Sequence, residues 1–264
     1  MRLFGADLGH PGEAARSVID WVQPDFIDLN FGCPVNKVVS KLGGSALLRN
    51  CPLLGRVACA VVKAAGNVPV TGRIRIGWSS SSINAVETTR VLEESGIQAV
   101  AVHVRTKEQG YSGQADWDVI GDVAASAGVP IIGNGDISGP LDVEMRRAQT
   151  RVAGIMIGRA AMTAPWIFSM IKHYLVTGEI LPDLSLEEKW SFVSRHAASV
   201  VENRRSEIPA MHSLRAQLMA YFRGMPGGKH LRSRLQSVST LNDLDSIARD
   251  HIARHAEASA VVLH

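Results

Sequence analysis

Short β-branched runs recur along the chain at intervals that leave room for one helix each. Residues 2–5, 26–30, 68–75, 99–103, 129–132 and 153–157 read as six strands. Between them lie stretches of helical period, among them 46–65, 84–95 and 117–127, each closed by a Gly or Asn suited to a left-handed cap. Strict alternation of this kind predicts parallel strands joined by crossover helices. The runs read as apolar on both faces, as expected where helices cover one side of a sheet and a packed interior fills the other.

Polar residues collect at the C-terminal ends of these runs: Asn30 with Cys33, Arg73 with Arg75, His103 with Arg105, Asn134 with Asp136, and Gly158 with Arg159. A (β/α)8 barrel gathers its functional groups at that end of every strand, whereas a Rossmann or flavodoxin-like sheet concentrates them at one or two switch points. The pattern therefore predicts an α/β fold of the TIM-barrel type, with about six strands present. From residue 182 the strand signal stops. Segments 186–203, 211–222 and 241–255 read as amphipathic helices, giving a barrel domain over 1–181 and a small all-α domain over 182–264.

Composition narrows the chemistry. The 264 residues are 46% hydrophobic and 20% charged, which fits a globular protein with a large core. The three cysteines, Cys33, Cys51 and Cys59, form no C-x-x-C pair, which argues against a disulfide framework or a zinc site and fits a reducing compartment. No stretch approaches the roughly 20 apolar residues of a membrane span, and the chain opens without an apolar leader, so a cytoplasmic location is expected. A formal net charge of +3 permits a nucleic-acid partner without requiring one. The scattered arginines of the tail, among them Arg195, Arg204, Arg205, Arg215, Arg223, Arg232 and Arg234, are either solvated faces balanced by acids or an RNA-contacting surface.

Leu29-Asn-Phe-Gly-Cys-Pro34 ends a strand in a turn that places the Cys33 thiol on a loop at the sheet's functional end. Cys51 and Cys59 sit within helix-period sequence and read as buried, inert thiols. Lys37 and Lys41 near Cys33 could hold a phosphate, favour the thiolate, or simply be solvated. Gly133-Asn-Gly-Asp-Ile137 and Ile157-Gly-Arg159 place glycine turns after two successive strands. Backbone N–H groups there can approach a phosphate, and Arg159 adds a cation with fork geometry. His103 at a strand end, followed by the loop carrying Tyr111, reads as ligand-binding.

Taken in order, these motifs resemble the tRNA-dihydrouridine synthase family of bacterial type. The resemblance runs through Asp28-Leu-Asn-Phe-Gly-Cys-Pro34, Lys41-Leu-Gly-Gly-Ser-Ala-Leu-Leu48, Arg73-Ile-Arg-Ile-Gly-Trp78, Val102-His-Val-Arg-Thr106, Gly133-Asn-Gly-Asp-Ile137, Ile157-Gly-Arg159, Ser213-Leu-Arg215 and Tyr221-Phe-Arg-Gly224. It implies an FMN-bearing barrel and a helical tRNA-binding domain, with NADPH reducing the flavin and the flavin reducing uridine to 5,6-dihydrouridine. It implies Cys33 as the proton donor to C5 of the uracil, opposite hydride delivery to C6. Arg73, His103, Asn134, Gly135, Asp136, Gly158 and Arg159 are implied FMN contacts, Arg159 at the phosphate; Asn30, Arg105 and Tyr111 are implied substrate contacts. Neither a metal nor an obligate protein partner is expected.

Three departures from the family pattern stand out. Two further strand and helix units usually precede the run at residue 2, so the barrel is expected to be truncated at its N-terminus. Arg73 stands where the family carries a flavin-binding lysine, and Arg2 where it carries a glutamine. Two other readings of the same residues are an FMN barrel acting on a small molecule and an inactive RNA-binding remnant. The arginine-bearing tail and the Gly-Cys-Pro turn speak against the small-molecule reading.

Overall fold

A computed structural model describes residues 1–3, 10–225 and 228–262. The chain divides into two compact units, Met1–Gly158 and Arg159–His264. In the first, six strands form one sheet: β1 (Arg2–Leu3), β2 (Ile27–Asn30), β3 (Val70–Arg75), β4 (Val100–His103), β5 (Ile131–Asn134) and β6 (Gly154–Met156). Neighbours in sequence are neighbours in the sheet, and every pair is parallel. Phe4 and Gly5, counted with the first strand in the sequence, lie outside the described residues. The crossovers carry α1 (His10–Val22), α2 (Asn36–Val39), α3 (Cys51–Ala65), α4 (Ala85–Glu94), α5 (Trp117–Ser126) and α6 (Pro140–Gln149). This is an α/β fold built on a parallel sheet.

The strands are not apolar on both faces, as the sequence reading had them. Ile27, Leu29, Val70, Ile74, Val100, Val102 and Ile131 all point one way, and each is at most 3% exposed. At roughly 1.5–3 kcal/mol per fully buried large side chain, this face is a major source of the unit's stability. The alternate residues share the opposite face. Register sets Asp28 beside Thr71, Asn30 beside Arg73, Arg75 beside His103, and His103 beside Asn134. The runs look two-sided in the sequence because Ala101, Ile132 and Met156 also fall on that second face. Toward the C-terminal ends it turns polar.

Local chemistry sets the helix boundaries. The helical period over 46–65 breaks at Asn50, whose side chain accepts the Leu53 N–H at 3.0 Å and starts α3 after the 3-10 turn Gly44–Arg49. Asp116 does the same for α5 through the Val119 N–H at 3.2 Å. Gly66 and Gly96 take positive φ of 60° and 91° beyond α3 and α4, but α5 ends differently. Ala127 is extended there, and the Gly128 N–H is held by the Glu93 carboxylate at 3.1 Å, so no left-handed cap is needed.

The described residues of the second unit contain only helices: α7 (Arg159–Thr163), α8 (Ile167–Thr177), α9 (Leu186–Glu202), α10 (Glu207–Tyr221), α11 (Gly228–Ser237) and α12 (Leu241–Val262). Ser185 and Glu188 form a reciprocal capping box at the start of α9, with bonds of 3.2 and 2.7 Å. The unit's core includes Trp166, Trp190, Met211, Leu218, Phe222 and Leu235. The strand pattern stops near residue 182, but Trp166 already packs among these helices, and by compactness the chain divides at Gly158. Helix α11 is absent from the sequence reading because Lys229, Arg232 and Arg234 mask its short apolar stripe, Leu231 and Leu235. No helix among the described residues is long and apolar enough to cross a membrane.

Gly133 on β5 shows how tightly sheet and helix meet. A Cβ there would stand 2.4 Å from the ring of Trp117, which is 1% exposed at the start of α5. Gly133→Ala is expected to cost about 1–3 kcal/mol, as overpacking of a rigid aromatic does. Urea unfolding at constant m-value measures it.

Candidate functional site

At the C-terminal ends of the strands, polar side chains converge on one face. Arg73 donates from Nη2 to Asn134 Oδ1 at 2.8 Å across the intervening strand, and Asn134 Nδ2 donates to the Met156 carbonyl at 2.7 Å. Strands β3, β5 and β6 are thus linked by side chains in addition to the ladder. Arg73 Nε and His103 Nδ1 are both buried without a hydrogen-bond partner. Such groups cost about 1–3 kcal/mol each when left unmade, so two of them facing one place mark where a polar ligand fits.

Cys33 lies half-buried on the loop after β2 and is a free thiol. Asn30 shapes that loop by accepting the Gly32 N–H at 3.1 Å. On the far side, Ser45 N–H bonds to the Cys33 carbonyl at 3.0 Å, and a Cβ on Gly44 would fall 2.9 Å from the Cys33 Cβ. Gly44 also has φ of +56°, so both room and backbone conformation call for glycine.

Arg75, which the sequence reading noted at a strand end but did not count among the site residues, organises this end of the unit. It is 2% exposed. Its Nε donates to the Gly32 carbonyl at 3.0 Å, and Nη1 donates to the carbonyls of Thr106 and Gly110 at 2.8 Å each. One guanidinium therefore fastens the residue before Cys33 to the loop that carries Tyr111. The Tyr111 ring lies 5.8 Å from its Cζ and stands edge-on to His103 at 6.2 Å. Tyr111 itself is 61% exposed. The signal in the sequence was weak because the partners of Arg75 are backbone carbonyls.

Arg105 has an equally internal role. It forks onto Asp136 at 2.9 and 2.7 Å and donates to the carbonyls of Ser112 and Gly113. Its side chain is 4% exposed and is spent on holding the Tyr111 loop, which leaves it little to offer an RNA. Asp136 has φ of +49°, and the preceding Gly135 has φ of +147°, where a Cβ would overlap Val104. Gly158 is open: only Asn134 Nδ2, at 3.9 Å, would meet a Cβ there. Arg159 opens α7 and belongs to the second unit. Among the described residues, no group of three or more His, Cys, Asp or Glu side chains could hold a metal.

The electrostatics are strongly positive. Burial lowers the pKa of Arg73 and Arg75 from the usual arginine range, and neighbouring arginines lower both further. Burial, then the charges of Arg75, Arg73 and Arg105, push His103 down to about 3. The imidazole is therefore neutral at physiological pH, a hydrogen-bonding group among fixed cations.

Comparison with known proteins gives this arrangement a family. The model for dihydrouridine synthase (Dus) matches residues 1–257. The chain is 37% identical to tRNA-dihydrouridine synthase B of Pseudomonas putida over 238 residues, covering 90% of this chain and 70% of that one. It is 46% identical to tRNA-dihydrouridine synthase B of Proteus vulgaris over 196 residues, 74% of this chain and 60% of that one. A probable tRNA-dihydrouridine synthase of Rickettsia bellii matches at 37% over 243 residues, 92% of this chain and 73% of that one.

The state of His103 has a consequence for stability. Its pKa is about 3 folded against 6.5 for the free side chain, so between those values the unfolded chain binds a proton that the folded chain does not. The contribution is fully present above pH 6.5 and is lost as pH falls toward 3, at up to about 1.4 kcal/mol per pH unit. His103→Gln removes this term. Unfolding free energies measured from pH 7 to pH 4 should show the variant losing stability less steeply than the wild type.

Proposed function

The chain belongs to the dihydrouridine synthase family, and from that premise we propose that it reduces uridine to 5,6-dihydrouridine in tRNA, with FMN as its flavin and NADPH as the reductant. The observation that carries this reading is the pair of buried, unpartnered groups Arg73 Nε and His103 Nδ1, set beside the loop of a free thiol. A flavin ring is planar and bears several acceptors and one N–H donor along its edge. Arg73 and neutral His103 supply the donors and the acceptor such an edge needs, and Arg73 keeps the charge of the lysine common in the family.

The remaining groups take their parts from their placement. Asn134 is fixed between Arg73 and β6 and holds the guanidinium in register. Gly158, with open space beside it, admits close approach of a phosphate to the backbone, and the next residue in sequence, Arg159, is assigned the phosphate charge. Asn30 and exposed Tyr111 are assigned to the uracil, which must leave its stack to be reduced. Arg105 and Asp136 are assigned to the Tyr111 loop and not to direct ligand contact, because each spends its charge on the other.

Arg73 and His103 would hold a bound flavin, which when reduced would supply the hydride equivalent that adds at uracil C6. The C5=C6 bond then becomes an enolate conjugated with the C4 carbonyl, and the Cys33 thiol gives its proton to C5, leaving a thiolate that solvent reprotonates. Two electrons and two hydrogens are added to the base, and NADPH accounts for the electrons. Arg73 and Arg75 make this end of the sheet positive, a field that would lower the cost of an enolate formed beside them. Turnover thus asks Cys33 for a single proton transfer.

The helical unit is assigned to tRNA. Of the tail arginines, Arg215 is spent on the Val238 and Ser237 carbonyls and the Ser239 hydroxyl, and Arg234 on Asp250. Arg204, Arg205 and Arg223 are exposed and carry the RNA-facing assignment.

Incubating unmodified tRNA transcript with the chain, FMN and NADPH should form dihydrouridine, measured by mass spectrometry of the nucleosides. Cys33→Ala should slow formation by about 10²–10⁴-fold, the usual worth of a positioned general acid, while flavin absorbance stays with the protein. Equal rates for the two proteins would remove Cys33 from the mechanism. No product from the wild type would overturn the reading for this chain.

A further inference from the structure

One cluster at the same end of the first unit takes no part in the chemistry above. Trp78, half-buried three residues beyond β3, has two cations over its ring: the Arg49 guanidinium carbon lies 4.9 Å from the centroid and the Lys107 ammonium 4.6 Å. Three loops converge there. Arg49 closes the 3-10 turn Gly44–Arg49, Trp78 follows β3, and Lys107 follows β4. The Lys107 and Glu108 N–H groups bond to the carbonyls of Gly77 and Trp78 at 3.0 Å each, which fixes the last two loops together. Thr106, whose carbonyl is held by Arg75, directly precedes Lys107, so the cluster continues the site's own framework.

What distinguishes this cluster is that, among the described residues, neither of its cations is in a direct ion pair. Glu108 accepts the Trp78 indole N–H at 3.1 Å and keeps its charge beside the ring, but it is not within ion-pair distance of either cation. Lys189 offers the contrast: it also lies over an indole, Trp166, at 5.8 Å, but is neutralised by Asp183 at 2.6 Å. Arg49 and Lys107 share one ring and stand within about a Debye length of each other, so they repel. Attraction to the ring, about 0.5–1 kcal/mol each at an exposed site, offsets that repulsion and limits the side chains' freedom to swing away. The result is a pair of cations gathered on one ring, with no carboxylate in direct contact among the described residues, to which an outside anion can add.

We propose that Arg49 and Lys107, spread on Trp78, grip the phosphate backbone of the RNA substrate at the mouth of the site. The proposal rests on the tRNA reading above. Two cations side by side suit a polyanion that presents several phosphates, and phosphate contacts of this kind position a substrate without reading its sequence.

The test is the salt dependence of binding. Anisotropy of a labelled tRNA transcript, titrated with the chain at several NaCl concentrations, gives the slope of log Kd against log salt. The double variant Arg49→Gln, Lys107→Gln should lower the magnitude of that slope by roughly 1.4–1.8, the loss of two phosphate contacts. A control of equal charge change, Arg56→Gln with Lys63→Gln on the exposed face of α3, should leave the slope as in the wild type. Thermal midpoints check that both variants are folded. If the Arg49/Lys107 double keeps the wild-type slope, the proposal fails and the tRNA reading stands. If the wild-type chain shows no salt-dependent binding of tRNA, the reading fails and takes the proposal with it.

Discussion

A guanidinium buried at the end of β3 holds the functional end of the first unit together. Taking a charge out of water costs several kcal/mol unless its donors are met, and Arg75 meets that cost with three backbone carbonyls from two loops. Neither loop has a regular ladder to hold it. The segment through Gly32 and Cys33 is shaped by Asn30 and Gly44, and the segment through Gly110 and Tyr111 by Arg105 with Asp136. Arg75 bonds to both, so a single planar group ties the loop of the thiol to the loop of the aromatic ring.

Collecting arginines in this way has an electrostatic price, which His103 absorbs. Three guanidiniums stand near it, with the Asp136 carboxylate opposing them, and protonating the imidazole would add a further buried charge. Neutrality is the cheaper state by several pH units. It leaves the ring able to accept or donate according to its tautomer, and Nδ1 is left over for a ligand. The same field favours any reaction in which negative charge grows at the site. The positive cluster thus sets the histidine's state and makes the site one that favours negative charge.

The sheet was legible in the sequence because short apolar runs, largely β-branched, recur at intervals that leave room for one helix each. All six runs became strands, with ends shifted by a residue or two and the first cut short by the described residues. What the pattern concealed was the second face, where Ala101, Ile132 and Met156 disguise a row that becomes polar toward one end. Helix α11 was hidden for a related reason: two leucines among basic residues make too weak a stripe to register. The polar residues at the strand ends were legible as candidates, but their bonding was not. Arg75 and Arg105 bond chiefly to carbonyls, and a carbonyl has no letter in the sequence. The bonding of Arg215 was hidden for the same reason: the turn it holds, from Ser237 to Ser239, offers it two carbonyls and a hydroxyl that no sequence pattern places beside it.

A formal net charge of +3 conceals how the cations are divided. Those directed into the units, Arg75, Arg105 and Arg215, are spent on carbonyls and one carboxylate and fix loops in place. Those left outside, Arg49 and Lys107 in the first unit and Arg204, Arg205 and Arg223 in the second, have no carboxylate partner among the described residues. An arginine can serve either purpose, because its fork satisfies several acceptors at once when buried and keeps its charge in any setting. The allocation is therefore decided by where acceptors are already present. Loops that leave carbonyls unpaired draw a guanidinium inward, and a cation with no such acceptor within reach stays available to a polyanion.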